Sequence, residues 1–94
     1  MQVRWTSPAT QDLEDIVRYI KKDSEDSARS VARTLYDAAN SLDFLPSRGR
    51  VGRIVGTREL VIPGLPYIIV YEVMDTAVQI HHIYHGARNW SEER

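Results

Sequence analysis

The side chains best suited to moving a proton or gripping an anion gather in the second half of the chain. His81, His82 and His85 fall in one short stretch, Arg88 follows, and Arg48, Arg50, Arg53 and Arg58 stud the segment before it. Imidazole titrates near neutrality, and guanidinium is a permanently charged fork of donors. Such a pair therefore suits proton transfer beside a clamped phosphate. Cleavage of RNA by 2′-hydroxyl attack needs a base, an acid and cationic stabilisation of the crowded phosphate. His85, with Gly86, Ala87 and Arg88 behind it, is the candidate for that chemistry; the competing reading is a histidine with a structural role.

Metal binding is the other chemistry three histidines raise. On a straight strand His81 and His85 share a face but stand about 13 Å apart at ~3.3 Å per residue, with His82 on the opposite face. Three nitrogens about 2 Å from one ion are not available from that arrangement, so no metal site and no cofactor are expected. A serine hydrolase is disfavoured, since no Gly-x-Ser-x-Gly elbow occurs. Gly49, Gly52 and Gly56 are closely spaced but lack the Lys-Ser/Thr ending and preceding strand of a phosphate loop, so they read as sources of mobility in the arginine segment. Trp5, Tyr67, Tyr71 and Trp90 could stack on bases, with core burial the default for Tyr71.

These groups need a scaffold, and hydrophobic periodicity supplies its outline. Val3–Trp5 reads as a short strand. Ser7 then reads as a helix N-cap with Pro8 at the first helical position, and Ala9, Leu13, Ile16, Val17 and Ile20 mark one face. Asp12, Glu14 and Asp15 lie early and Lys21 and Lys22 late, as the helix dipole favours. Asp23 to Ser27 forms a polar joint with a second cap. Ala28, Val31, Ala32, Leu35, Ala39, Leu42 and Leu45 continue as a second helix ending before Pro46. So short a joint implies an antiparallel helical hairpin.

Residues 46–57 carry no apolar periodicity and read as a loop. Arg58–Ile62, Tyr67–Met74 and Val78–Tyr84 read as strands. Pro63-Gly64 sits at the centre of a type II turn, and Tyr67–Met74, apolar on both faces, is a central strand. The order is β-α-α-β-β-β: an α+β domain, residues 1–94, with a helical hairpin packed on a mostly antiparallel four-stranded sheet.

A chain of 94 residues supports one core. It has no cysteine, which excludes disulfides and thiol chemistry and fits a cytoplasmic location. No secretory leader or membrane-spanning run is visible. The net charge of −1 argues against bulk electrostatic binding of nucleic acid. The charge is uneven, however. Acids load the first half and arginines one short stretch, which suggests local binding of an anionic partner.

Taken together, Asp12-Leu13-Glu14-Asp15-Ile16, the Gly-Arg-rich segment, Arg58-Glu59-Leu60, Tyr67-Ile68-Ile69-Val70-Tyr71 and His85-Gly86-Ala87-Arg88 resemble the RelE/ParE superfamily across nearly the whole chain. These are toxins of bacterial type II toxin–antitoxin modules. The resemblance implies a cytoplasmic toxin neutralised by a cognate antitoxin that wraps its grooves. RelE-like members cleave messenger RNA on the ribosome with loop lysines, sheet arginines and a late tyrosine. Here the loop offers Arg48, Arg50 and Arg53 but no lysine, Pro63-Gly64-Leu65-Pro66 stands where a sheet arginine is expected, and Arg88 is followed by Trp90 rather than tyrosine. ParE-like members poison DNA gyrase and need no catalytic set. The resemblance therefore favours DNA gyrase as the target, and Arg48, Arg50, Arg53, Arg58 and Trp90 are the expected target- or nucleic-acid-binding residues. The alternative is an endoribonuclease acting on ribosome and mRNA, with His85 and Arg88 as catalytic groups.

Overall fold

A computed structural model of the protein describes residues 1–86. Strand β1 (Gln2–Trp5) leads into helix α1 (Ser7–Lys21) and helix α2 (Glu25–Asn40), which ends in a single 3-10 turn at Ser41–Asp43. Strands β2 (Arg50–Val51), β3 (Arg58–Val61), β4 (Tyr67–Val73) and β5 (Ala77–His85) follow. The sheet runs β1-β5-β4-β3-β2, with β1 parallel to β5 and every other pair antiparallel. The expected α+β architecture is present, with five strands rather than four. The added strand is β2, two residues of the arginine segment that zip onto β3.

Local chemistry explains the helix limits. Thr6, not Ser7, caps α1: its Oγ1 accepts from the Ala9 N–H at 3.2 Å and donates to the Ile80 carbonyl at 2.7 Å. One hydroxyl thus closes the helix end and ties it to β5 where β1 stops. Ser24 caps α2 by accepting from the Ser27 N–H, so that helix starts three residues before Ala28. It also ends earlier than its apolar pattern suggests. Leu42 stays buried within the 3-10 turn, whereas Phe44 and Leu45 turn out into solvent.

The core lies between the helical hairpin and one sheet face. Leu35, Ala39 and Leu42 meet Leu60, Ile62, Ile69, Tyr71, Val78, Ile80 and Ile83 there, with Leu13 and Ile16 packed against its margin. β4 is central and buried on both faces, as its composition implies. Between β3 and β4, the Leu65 N–H donates to the Ile62 carbonyl and Gly64 has φ +79°, the left-handed geometry a type II turn requires at that position.

One irregularity overturns the straight-strand reading of the histidines. Val70 pairs with His82 but Tyr71 pairs with Ile80, so His81 is an extra residue in β5, a β-bulge. The face-to-face alternation shifts there, and the buried positions run Val78, Ile80, Ile83. His81 and His85 consequently lie on opposite faces. No cluster of three metal-binding side chains occurs among the described residues.

Candidate functional site

The arginine segment is a folded hairpin built around one buried acid. Glu59 is only 1% exposed. Its Oε1 accepts from Arg50 Nε at 3.1 Å and Nη2 at 2.9 Å, and its Oε2 accepts from the Arg53 backbone N–H at 3.0 Å. A buried carboxylate needs such donors, because an unpaired one is strongly disfavoured away from water. Arg58 donates to the Gly49 carbonyl at 2.6 Å, and Arg48 donates to Ser41 Oγ at 2.7 Å. Guanidiniums that the sequence offers to a target are thus also the braces of their own loop.

Tyr71 completes the frame. Its hydroxyl accepts from the Gly49 N–H and donates to the Pro46 carbonyl, both at 2.8 Å. A Cβ on Gly49 would stand 2.7 Å from that hydroxyl and 2.8 Å from the Glu59 carbonyl. Glycine is therefore required for close approach, not for mobility. Gly56, with φ +87°, closes the hairpin tip, where the Thr57 N–H donates to the Ile54 carbonyl at 3.0 Å. A shallow pocket of about 340 Å³ lies beside the hairpin, lined by Arg48, Arg50, Glu59, Val61 and Pro63 among others.

His85 belongs to a different place. It packs edge-on against Tyr67, ring centroids 5.6 Å apart, and lines an open cleft of about 610 Å³ with Asp12, Asp15, Ile16, Tyr19 and Ile83. Burial, with a smaller contribution from Tyr19, raises the Tyr67 phenol above its ordinary value. Asp12 fixes one wall. Its Oδ2 accepts from the Ile83 N–H at 3.0 Å and meets His82 Nδ1 at 3.1 Å, closing the edge of β5 beyond the end of β1. His81 instead pairs with Glu72 at 3.0 Å. Trp5 stacks on Tyr36, and Tyr71 is fully buried, so neither ring is offered to a base.

The fold does not bring the two sets together. His85 pairs with Tyr67 and Arg58 with Tyr71, four positions along β4 and two strands across. At ~3.3 Å per residue and ~4.8 Å per strand that is roughly 16 Å between backbones. Arg88 and Trp90 lie outside the described residues. Asp12, which the sequence offers only as a helix-dipole acid, is the polar residue that sequence reasoning missed. Glu59 reads from sequence as a possible organiser of the sheet edge, and the register shows that it faces the arginine hairpin.

A family model describing the ParE toxin of the type II toxin–antitoxin system parDE matches residues 3–90. The chain belongs to the ParE toxin family. It is accordingly a toxin of a type II module, a system that pairs it with an antitoxin. It is 38% identical over 91 residues to "Putative toxin Y4kP" of Sinorhizobium fredii, covering 97% of this chain and 94% of that protein. It is 41% identical over 87 residues to "Toxin RelE2" of Caulobacter vibrioides, covering 93% and 97% respectively. Among solved structures, a chain of the chromosomal ParDE toxin–antitoxin system from P. aeruginosa superposes with a TM-score of 0.83 at 23% identity. That match covers 90% of this ParE-family chain and 95% of the other, and it shows the shared fold. No helix among the described residues is long and apolar enough to cross a membrane.

Proposed function

We propose that this ParE-family toxin arrests growth in the cytoplasm by binding and inhibiting DNA gyrase, and that its cognate antitoxin blocks that contact. One observation supports a binding mode over catalysis. The Arg58 and His85 backbones stand roughly 16 Å apart by sheet geometry, and Arg50 lies one strand farther out on β2. A phosphodiester cannot be clamped by Arg50 while His85 moves its proton. The cleft around His85 also carries Asp12 and Asp15, whose carboxylates would repel a phosphate. Binding a protein target needs only a rigid, complementary surface, and the Glu59-braced hairpin provides one.

The test is DNA supercoiling by purified gyrase with the toxin titrated in. Inhibition or accumulation of cleaved DNA, reversed by antitoxin, is the expected result. Unchanged supercoiling at toxin concentrations that arrest growth would reject the proposal. A second reading, ribosome-dependent cleavage of mRNA, draws on His85 standing in an open cleft beside Tyr67 and Tyr19, with Arg88 a few residues on. Codon-phased cuts in a translating extract, lost in His85→Ala, would establish it.

A further inference from the structure

The hairpin from Arg50 to Arg58 displays two apolar side chains for which the fold has no use. Val55 is 99% exposed and Val51 81%. Val55 stands at the second position of the Ile54–Thr57 turn, where proline or a polar residue serves the turn as well and leaves no bare isopropyl group in water. Exposed valines on an edge hairpin add little to stability and invite association. The mount is nevertheless stiff. Glu59 holds Arg50 and the Arg53 backbone, the Gly52 N–H donates to the Thr57 carbonyl at 2.8 Å, and Arg58 and Tyr71 pin the stem at Gly49. A rigid apolar tip loses little entropy on docking.

We propose that this hairpin tip is the toxin's anchor on its protein target, with Val55 entering an apolar socket rimmed by carboxylates. Charge complementarity selects that partner. Residues 46–58 contain four arginines and no acid, and the one carboxylate beneath them, Glu59, is buried. A nucleic acid is the poorer match. The segment carries no aromatic ring on which a base could stack. The whole chain has a net charge of −1, which gives no bulk attraction to a polyanion. The proposal rests on the reading of the protein as a gyrase-binding toxin and assigns the contact surface within it.

The experiment compares wild type with Val55→Asp, Val55→Ser and Arg53→Glu. Readouts are inhibition of purified gyrase, antitoxin affinity, binding to plasmid DNA without gyrase, and growth arrest on induction. Because Val55 is fully exposed, its variants should melt with the wild type. Val55→Asp should weaken gyrase inhibition tenfold or more and Arg53→Glu by a similar factor. Val55→Ser should fall between, and antitoxin affinity should stay within about twofold. Full inhibition by Val55→Asp overturns the proposal. So does loss confined to Arg53→Glu with a parallel loss of DNA binding, which would make the surface electrostatic. Loss of antitoxin affinity with inhibition retained would assign the tip to the antitoxin and overturns it too. If the wild type leaves gyrase untouched, the gyrase reading fails separately, and growth arrest decides the anchor. A Val55→Asp chain as toxic as wild type overturns the anchor whatever the target.

Discussion

Replacing Glu59 by glutamine should destabilise the toxin measurably. The carboxylate is 1% exposed and accepts from Arg50 through two nitrogens and from the Arg53 N–H. Glutamine keeps the volume but offers one acceptor where there were two, and its amide NH2 faces a former donor. Breaking a fully buried ion pair costs about 3–5 kcal/mol. Arg50 is half exposed and can rehydrate, so the electrostatic part falls toward surface-pair values. One misplaced donor adds about 1–3 kcal/mol. The expected cost is about 2 kcal/mol, which in a domain of this size lowers Tm by about 8–16 °C. Scanning calorimetry of the purified toxin measures it. A cycle with Arg50→Gln should return a coupling of about 1 kcal/mol, since contacting charged residues are not additive. A Glu59→Gln chain melting within about 2 °C of wild type would refute the view that this acid organises the hairpin.

Other consequences follow from the same geometry. Tyr71→Phe leaves the Gly49 N–H and the Pro46 carbonyl without their shared hydroxyl, and should cost about 1–3 kcal/mol in urea unfolding. Gly56→Ala forces a side chain into φ +87° and should cost about 1–2 kcal/mol with no clash to relieve, since open space surrounds that position. Thr6→Ala removes the α1 cap and its tie to β5, and should cost about 1–2 kcal/mol by the same measurement. Tyr67 titrates higher folded than unfolded, so its contribution to stability is complete below the ordinary tyrosine value of about 10 and is lost as pH rises through the folded value. Ultraviolet titration should show a phenol ionising above the ordinary tyrosine value, and Tyr67→Phe should remove that step.

What the sequence disclosed was whatever depends on local pattern. The apolar stripes of α1 and α2, the doubly apolar β4 and the Pro63-Gly64 turn each follow from spacing within one element, and each is present. What escaped it depends on contacts distant in the chain. The bulge at His81 cannot be read from β5, because it exists only in the register with β4, and it reverses which histidines share a face. The shift of the cap from Ser7 to Thr6 has the same origin: Thr6 also reaches Ile80, 74 residues away. The arginine segment looked like a mobile loop because its braces, Glu59 and Tyr71, lie on neighbouring strands. Leu45 fits a helical face that the chain abandons for a 3-10 turn.

Growth arrest by His85→Ala tests the central claim most directly, because it separates a toxin that binds from one that cuts. With the cleft histidine gone and the hairpin intact, a binding toxin should still arrest growth and still inhibit gyrase within a few-fold of wild type, with the DNA-damage response rising before translation falls. Loss of toxicity in that variant, with its fold and antitoxin affinity unchanged and mRNA cleavage abolished, would contradict the account and place the activity in the cleft.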